Sequence, residues 1–271
     1  MGTFVVSGSA SGMGAATAAL LRDAGHRVVG IDVRDADVIA DLATADGRGG
    51  AVAAVLATVG DRLDGVALFA GVGGATGRDP RLLVSLNYFG SVQLFEALRP
   101  LLAAAGTSSA VAISSNSATC QPGWSEDLVE ACLSGDEARA RDVAQDGDSP
   151  TAYPATKAAL ARWVRQSAPR PEWAGAGIRL NAVAPGLIET PFVDETRADP
   201  VLGQLIGGFP LPLGRGGRAE EVAELVVFLL TAGTFLCGSF LVVDGGTEAL
   251  LRPADWPARW ELRLRTTAVN G

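Results

Sequence analysis

Short apolar runs rich in valine, isoleucine, leucine and phenylalanine recur along the 271-residue chain. Six of them predict strands, at residues 3–7, 27–32, 65–70, 109–114, 177–183 and 239–244. Segments of helical periodicity lie between most of these runs, for example GAATAALLRDAG at residues 14–25. Unbroken apolar strands that alternate with helices are typical of a parallel sheet covered on both faces. The pattern therefore predicts an α/β fold, a single doubly wound domain over residues 1–271.

Two segments fall outside this alternation. Residues 121–150 carry eight acidic residues and two arginines, so most of the formal net charge of −8 is local. Ser125 is placed to cap one short helix there, and Ser134 with Glu137 forms a capping box for a second. We expect an acidic helical insertion at this point. Residues 247–271 form a C-terminal extension whose structure the sequence does not indicate.

Composition and charge narrow the function. A net charge of −8 disfavours a nucleic-acid partner, because binding to phosphates needs a basic face. Three cysteines without paired spacing and a single histidine support neither a disulfide framework nor a metal site. The N-terminus has no basic leader, and no apolar run reaches the roughly 18 residues of a membrane span. We therefore expect a cytoplasmic protein that acts on a small molecule, without a metal or a membrane partner.

A glycine-rich segment, SGSASGMG, follows the first predicted strand and opens the first predicted helix. Gly8 permits the turn, Gly12 lets the backbone approach a pyrophosphate, and Gly14 lets the helix pack on the sheet. The helix N-terminus supplies positive potential for an anion. The segment, which includes Ser11 and Met13, therefore predicts a dinucleotide site.

Asp32 ends the second predicted strand, at the position where a dinucleotide site needs an acid. Its carboxylate can accept hydrogen bonds from both hydroxyls of an adenosine ribose and would repel a 2'-phosphate. We therefore expect NAD(H) as the cofactor. Arg34 keeps NADP(H) open as an alternative, because an arginine nearby could hold the phosphate. Asp32 could also be a helix cap or an ordinary surface acid.

TAYPATK, residues 151–157, places Tyr153 one helical turn before the chain's only lysine, Lys157. A pair at this spacing is commonly a solvated helix face. A lysine ammonium also favours a phenolate, however, and is expected to lower the tyrosine pKa below its usual value of about 10. Such a phenol can exchange a proton with an alcohol oxygen. Because proline is tolerated in a first helical turn, Pro154 predicts that the helix begins at about Tyr153.

Several motifs, in their order along the chain, resemble the short-chain dehydrogenase/reductase family over nearly the whole length. They are G-x-x-x-G-x-G in the glycine segment, AG at 70–71, NYFG at 87–90, ISS at 113–115, YPATK at 153–157, NAVAPGLIETP at 181–191 and VDGG at 243–246. SASGMGAAT, SVQLFEALRP and the long insertion before the tyrosine are similar to the bacterial 3α-hydroxysteroid dehydrogenase/carbonyl reductase branch. Coniferyl-alcohol dehydrogenases are near relatives of that branch. The resemblance implies a Rossmann fold with a seven-stranded parallel sheet.

The resemblance also implies roles for individual residues. Ser115 would hydrogen-bond the substrate oxygen, and Lys157 would hold the nicotinamide ribose besides acting on Tyr153. Asn87 would place a water in the proton relay, although it could instead cap a helix. Six further residues would contact the cofactor: Asp41 and Leu42 the adenine, Ala70 and Gly71 the ribose, Ile188 and Thr190 the nicotinamide carboxamide. Thr190 could instead cap the helix that follows.

The substrate side of the predicted site involves two segments. Residues 187–215 mix apolar side chains with prolines and glycines and would lie beside the nicotinamide in the family fold. We expect them to form a lid over a hydrophobic substrate. The insertion at 121–150 would either roof the substrate site or cover the helix of Tyr153. Its acidic outer face favours the second arrangement, which would obstruct one pairing face and leave a homodimer through another.

The favoured function is hydride transfer between NAD(H) and a hydrophobic secondary alcohol or ketone, with hydroxysteroids and other cyclic compounds as candidate substrates. One alternative is an aryl or allylic alcohol dehydrogenase of the coniferyl-alcohol type. Another is a non-catalytic dinucleotide-binding protein, which the complete set Asn87, Ser115, Tyr153 and Lys157 disfavours. A serine hydrolase is disfavoured because His26, expected at the surface, is misplaced to act as a base for Ser115.

Overall fold

The strands of the protein form one main sheet. A computed structural model describes residues 1–255, within which the strands are β1 (Thr3–Ser7), β2 (Arg27–Asp32), β3 (Val38–Ile39), β4 (Gly65–Leu68), β5 (Ser108–Ile113), β6 (Ile178–Pro185), β7 (Ile188–Glu189), β8 (Gly217–Arg218) and β9 (Phe240–Val243). Seven of them form a parallel sheet in the order β3-β2-β1-β4-β5-β6-β9, and β7 pairs with β8. The predicted α/β fold with a parallel seven-stranded sheet is confirmed.

Helices connect the strands. They are α1 (Gly12–Asp23), α2 (Ala45–Val59), α3 (Pro80–Leu83), α4 (Gly90–Ala104), α5 (Ser117–Cys120), α6 (Glu126–Leu133), α7 (Glu137–Gln145), α8 (Ser149–Ser167), α9 (Pro191–Ala198), α10 (Leu202–Gly207), α11 (Ala219–Thr231) and α12 (Thr247–Leu251). A π-helix, Val84–Phe89, leads into α4. The C-terminal extension is described only as far as residue 255, so the rest of that predicted segment lies outside the described residues.

Both faces of the sheet are covered, as unbroken apolar strands require. Phe4 and Val6 of β1 belong to one core cluster together with α1 and α11, which supply Ala18, Leu21, Val222 and Val226. Val5 points to the opposite face and belongs to the other cluster, with α2, α4 and α8 contributing Val55, Leu98 and Leu160. Side chains alternate along a strand, so a strand buried on both faces is apolar at every position. This is the physical basis of the runs that the sequence shows.

The strand order reverses between β1 and β4, which are neighbours in the sheet although β2 and β3 lie between them in the chain. In an open parallel sheet, the connections on either side of such a reversal leave a crevice at the carboxyl ends of the strands. The loops after β1, β4 and β5 all open at that edge. The fold therefore brings the glycine segment, the AG pair and the ISS serines to one place.

The acidic insertion forms α6 and α7. Ser125 caps α6 by accepting a hydrogen bond from the Leu128 amide, as predicted. The predicted cap of the second helix is wrong: Asp136, rather than Ser134, accepts the bond from the Arg139 amide and caps α7. The carboxylate lies directly before the first helical residue, so it reaches the free amides of the first turn.

The helices of the insertion, α6 and α7, cover the helix of Tyr153 and its neighbours rather than the site. Helix α6 packs against α8, and Arg162 of α8 pairs with both carboxylate oxygens of Glu126 while its guanidinium lies over the Trp124 ring. Helix α7 packs against α3 and the π-helix. Of the two arrangements expected from the sequence, the structure has the second.

Helix α8 begins four residues earlier than predicted. Asp148 caps it by accepting a bond from the Thr151 amide, so Ser149 and Pro150 form the first turn and Pro154 lies inside the helix. The expectation that the helix begins at about Tyr153 is therefore wrong. Proline inside a helix leaves the carbonyl four residues earlier without its usual donor. Here that carbonyl belongs to Pro150, and the Gln121 side chain donates to it at 2.9 Å.

Candidate active site

The glycine segment joins β1 to the start of α1. Gly12 has φ of +53°, in the left-handed region that favours glycine. A Cβ on Gly14 would lie 2.1 Å from the carbonyl oxygen of Gly8, so only glycine fits the close packing at that point. Ser11, the N-cap residue of α1, makes no side-chain capping bond. The first amides of α1 therefore face the crevice without a side-chain acceptor, which suits an anionic ligand.

The acid after β2 lies beside this loop. One oxygen of Asp32 accepts a hydrogen bond from the Ala10 amide at 3.0 Å, and the other accepts from the Val33 amide at 2.7 Å. The carboxylate is half-buried and lines the crevice with Asp41 and Leu42. The alternative roles of cap or plain surface acid do not describe it. Arg34 is exposed and is not among the described residues that line the crevice.

The crevice encloses a cavity of about 310 Å³. Fourteen of the sixteen predicted site residues line it: Gly8, Ser11, Gly12, Met13, Gly14, Asp32, Asp41, Leu42, Ala70, Gly71, Ser115, Tyr153, Ile188 and Thr190. The remaining two, Asn87 and Lys157, are buried directly behind the wall. Residues scattered from 8 to 190 are thus brought together. Their assigned roles stay predictions.

Asn87 supports the strand-end loop after β4. Its Oδ1 accepts from the Val72 amide at 2.9 Å, and its Nδ2 donates to the Val72 carbonyl at 3.0 Å. A Cβ on Gly71 would lie 2.9 Å from Asn87 Oδ1 and 3.7 Å from Lys157 Nζ. Asn87 lies inside the π-helix and is not the helix cap that the sequence left open. Glycine at 71 lets the loop pass close to both polar groups.

The proton-transfer pair lies on α8, opposite the end of β5. Lys157 Nζ donates to the Ile113 carbonyl at 2.8 Å and lies 5.8 Å from the centre of the Tyr153 ring. Burial lowers the pKa of Lys157 to about 8. Burial also raises the pKa of Tyr153 to about 12, with the Ser115 hydroxyl opposing that rise. The expected lowering of the Tyr153 pKa by Lys157 is not seen, because burial raises this pKa and the Ser115 hydroxyl is the group that opposes the rise.

Ser115 and Thr190 complete the wall. Ser115 Oγ accepts from the Ser117 amide at 3.1 Å, and its hydroxyl can donate either to Tyr153 or to a substrate oxygen in the cavity. Thr190 occupies the N-cap position of α9 without a side-chain capping bond. Its hydroxyl donates to the Ile188 carbonyl at 3.1 Å instead. The capping alternative for Thr190 is therefore wrong.

A second cavity, of about 300 Å³, adjoins the first. Ser115, Tyr153, Gly186, Phe192 and Val193 line both. The other lining residues from the predicted lid are Leu187, Thr196, Leu202, Leu205, Ile206 and Phe209. No residue from 123 to 149 lines either cavity. The wall of the second cavity is thus largely apolar, and eight of its nineteen lining residues come from residues 187–209.

Some residues of the second cavity were missed from the sequence. They are Gly73, Gly74, Asn116, Ser117, Cys120, Gln121, Pro122 and Pro150. Loop positions next to a motif, such as Asn116 and Ser117 after ISS, could have been found by their spacing. Gln121 and Pro150 could not, because only the packing of α5 against α8 brings them to the cavity.

The predicted lid segment is tied to the loop after β4. Both oxygens of Asp199 accept from Thr76, one from the amide at 2.6 Å and the other from the hydroxyl at 2.8 Å. The amides of Val201 and Leu202 also donate to Asp199, and together these donors hold its pKa far below the usual range. Arg78 from the same loop pairs with Glu195 of α9. We call the Thr76–Asp199 pair the lid clasp.

His26 takes part in structural contacts, and the cysteines form no disulfide. His26 is half-buried rather than at the surface, accepts from the Gly2 amide at 3.0 Å and packs edge-on against Phe4. All three cysteines are free. Within residues 1–255, no cluster of His, Cys, Asp and Glu side chains could hold a metal ion. None of the helices in that range is long and apolar enough to cross a membrane.

Known proteins resemble this chain. A sequence model of the family described as enoyl-(acyl carrier protein) reductase matches residues 134–248. A 3α-hydroxysteroid dehydrogenase/carbonyl reductase of Comamonas testosteroni is 40% identical over 260 residues, which cover 94% of this chain and 100% of that protein. A cis-4-hydroxycyclohexanecarboxylate dehydrogenase of Sinomonas cyclohexanicum is 31% identical and covers 91% of this chain and 96% of its own.

Solved structures show the same relationship. The 3α-hydroxysteroid dehydrogenase of Pseudomonas sp. B-0831, solved with NADH, superposes with a TM-score of 0.88 at 46% identity. The match covers 93% of this chain and 99% of that one. Near-complete coverage at this identity, together with the site geometry described above, establishes the relationship. The chain belongs to the short-chain dehydrogenase/reductase family and is an oxidoreductase.

Proposed function

We propose that the enzyme transfers a hydride between NAD(H) and a hydrophobic secondary alcohol or its ketone. The observation that carries this proposal is the wall between the two cavities, where Ser115 and Tyr153 line both. The first cavity has the glycine loop, the free amides of α1 and Asp32, which fit a dinucleotide. The second cavity is apolar and suits a hydrophobic ring system.

The residues of the wall would handle the substrate oxygen and its proton. NAD(H), when bound, accepts or supplies the hydride. The Ser115 hydroxyl would donate to the substrate oxygen and hold it in place. Tyr153 would give its proton to the alkoxide that forms on reduction and take one in the reverse direction. Lys157, largely protonated at neutral pH with its pKa of about 8, would stabilise the phenolate that Tyr153 leaves.

The assignment of Asn87 to a water relay stays a prediction. Both polar atoms of its side chain bond to Val72. This geometry supports a role in holding Gly71 and Val72 against Lys157. A water that serves the relay would have to bind beside the side chain and not replace these bonds.

Asp32 supports NAD(H) over NADP(H). Its carboxylate is held at the rim of the first cavity by the Ala10 and Val33 amides, so it would lie close to any 2'-phosphate and repel it. Arg34, the residue that could favour NADP(H), is exposed outside the cavity lining. The related Pseudomonas enzyme was solved with NADH, which agrees with this preference.

A cyclic secondary alcohol or ketone is the proposed substrate class. Two relatives are named for cyclic alcohols, one a 3α-hydroxysteroid and the other a hydroxycyclohexanecarboxylate. In this chain, Phe192 lies 6.0 Å from the Tyr153 ring, measured between centroids, and offers an apolar surface beside the proton donor. Six further apolar residues of the predicted lid segment line the same cavity: Leu187, Val193, Leu202, Leu205, Ile206 and Phe209.

We propose a homodimer in the cytoplasm. Helix α8 is covered by α6, so pairing through that face is obstructed. The edge strand β9 is incompletely buried along its whole length, and Phe235, which precedes it, is fully exposed. Phe228 on α11 adds to this apolar surface. The free cysteines support a reducing compartment.

The test is a screen of cyclic ketones, steroids and aryl aldehydes, followed by nicotinamide absorbance with NADH and with NADPH. We expect turnover of cyclic ketones with NADH. Preferred turnover of aryl aldehydes would favour the coniferyl-alcohol alternative. NADH binding without turnover of any compound would favour the non-catalytic alternative. A solution mass measured by light scattering tests the dimer independently.

A further inference from the structure

We propose that Arg48 and Arg141 are positioning residues that make the acidic insertion part of the dinucleotide site. Of the insertion, only Gln121, Pro122 and Pro150 at its ends line a cavity, and its helices α6 and α7 line neither. Its helix α7 nevertheless supplies two charged side chains, Glu137 and Arg141, to a network that reaches the cavity wall. The inference rests on the proposed dinucleotide site.

Arg48 is a buried cation at the centre of this network. It lies on α2 and is only 4% exposed. Its Nη2 donates to Glu137 Oε2 at 2.6 Å, and its Nη1 donates to the carbonyls of Leu42 at 3.1 Å and Ser85 at 3.4 Å. A buried guanidinium needs a carboxylate partner, because an unpaired charge in the interior is strongly destabilising. The insertion supplies that partner through Glu137.

One of the two carbonyls belongs to a residue that lines the first cavity, and the other belongs to the π-helix that carries Asn87. Leu42 lines the adenine side of that cavity by the family resemblance. Ser85 lies in the π-helix two residues before Asn87. A Cβ on Gly90 would lie 3.1 Å from the Leu42 oxygen and 3.4 Å from the Ser85 oxygen, so both carbonyls approach the start of α4 closely. The Arg48 guanidinium therefore holds the segment of Leu42 and the π-helix of Ser85 against the start of α4.

Arg141 holds Ser85 from the other side. Its Nη1 donates to Ser85 Oγ at 2.6 Å, and Ser85 is 1% exposed. The Ser85 carbonyl also accepts from the Gly90 amide, which is the hydrogen bond that makes this turn a π-helix. The register of the turn decides where Asn87 points, and Asn87 in turn holds Val72. The path runs from α7 through Ser85 and Asn87 to the loop beside Lys157.

Arg48 and Arg141 bond to different acceptors, so variants of the two residues should affect different parts of the site. Arg48 contacts both the Leu42 and the Ser85 carbonyls, whereas Arg141 contacts Ser85 and the Arg81 carbonyl of α3. Loss of Arg141 should therefore disturb only the half of the site that contains Asn87. Loss of Arg48 should disturb the adenine half as well.

The experiment compares Arg141→Met, Arg48→Lys and Arg139→Gln in the full chain. Arg139 is exposed on the same helix as Arg141, and its side chain takes part in no hydrogen bond or ion pair in the described part of the chain, so its variant is the matched control. Hydrogen–deuterium exchange is followed in residues 70–74 and 84–91. Dissociation constants are measured for NADH and for AMP. The values of kcat and KM are measured with NADH and the cyclic ketone that the wild type reduces best in the activity screen.

We expect Arg141→Met to exchange about tenfold faster in both segments and to lose about tenfold in kcat, with its AMP dissociation constant within about twofold of the wild type. Arg48→Lys should show the same exchange and in addition an AMP dissociation constant raised about tenfold. Arg139→Gln should match the wild type. Unchanged exchange in Arg141→Met, or unchanged AMP binding in Arg48→Lys, would overturn the inference.

Ser85→Ala provides a second test in case an arginine variant does not fold. It removes only the hydroxyl that accepts a hydrogen bond from Arg141. It should speed exchange in the same two segments, and wild-type protection there would also overturn the inference. Exchange and AMP binding need no turnover. If the wild type reduces no ketone, the proposed function fails while these measurements still decide the role of the insertion.

Discussion

Gln121 Nε2 donates a hydrogen bond of 2.9 Å to the carbonyl oxygen of Pro150, the backbone acceptor that Pro154 leaves without a donor inside helix α8. Gln121 is the first residue of the insertion, and Tyr153 lies between the two prolines. A side chain outside the helix thus repairs the helix at the turn that carries the proton donor.

Gln121→Leu should lower the free energy of unfolding by about 1 kcal/mol, because the Pro150 carbonyl then has no donor. Urea unfolding measures the change. Pro154→Ala restores an amide that can bond the same carbonyl, so Gln121→Leu should cost less than half as much in that background. Equal costs in both backgrounds would mean that the hydrogen bond does not compensate for the proline.

Tyr153→Phe should keep NADH binding and lose turnover. The ring that packs against Phe192 stays, and only the proton donor is removed. A loss of kcat of about 10² to 10⁴ is expected for a general acid. NADH fluorescence titration and steady-state kinetics measure the two properties. Retention of full activity would disprove the proposed proton transfer.

Lys157 should make stability depend on pH. Its pKa falls from the ordinary 10.5 to about 8 in the folded protein, so the unfolded chain binds more protons between these values. The free energy of unfolding therefore rises with pH across that window. The cost of burying the charged lysine is present in full below about pH 8 and is lost as the lysine deprotonates above it. The difference in the free energy of unfolding, wild type minus Lys157→Met, should increase by about 2 kcal/mol between pH 7 and pH 10.

The comparison with Lys157→Met removes other titrations from this measurement. Tyr153, with its pKa raised to about 12, favours unfolding as the pH rises above about 10, the opposite direction. Both proteins share that contribution, so it cancels in the difference. A difference that stays constant from pH 7 to pH 10 would show that burial does not shift the Lys157 pKa.

Asp32→Ser should narrow the preference for NADH over NADPH. Removal of the carboxylate takes away two hydrogen-bond acceptors for the ribose and the repulsion of a 2'-phosphate. The ratio of kcat/KM for the two cofactors should fall by about tenfold or more, in line with the loss of charged hydrogen bonds. Arg34→Ala is the companion variant. If it weakened NADPH use alone, Arg34 would hold the phosphate after all.

Thr76→Val should loosen the lid clasp. The Asp199 carboxylate keeps the Val201 and Leu202 amides but loses the Thr76 hydroxyl, one of the two bonds from the loop after β4. We expect KM to rise and trypsin to cut faster at Arg197 within the lid. Thr58→Val is a suitable control because Thr58 is an exposed threonine of α2 whose hydroxyl donates to the Ala54 carbonyl, away from the clasp. Equal cleavage of the two variants would show that the clasp does not restrain the lid.

The sequence by itself determined most of the sheet and most of the residues that line the first cavity. Two strands, Thr3–Ser7 and Arg27–Asp32, have the predicted bounds, because strands buried on both faces must be apolar throughout. The short strand Val38–Ile39 has no such run and was missed. The glycine spacing, Asp32 and the Tyr153–Lys157 pair are local patterns, so they could be read without the fold.

Only the tertiary structure decided the start of α8, the pKa values of Tyr153 and Lys157, and the elements against which the insertion packs. The helix start depends on Asp148 and on a distant glutamine, Gln121, that repairs the turn. The pKa values depend on how much water the surrounding chain excludes, which no spacing of two residues reveals. Contacts between residues far apart in the chain therefore set both the start of α8 and the two pKa values.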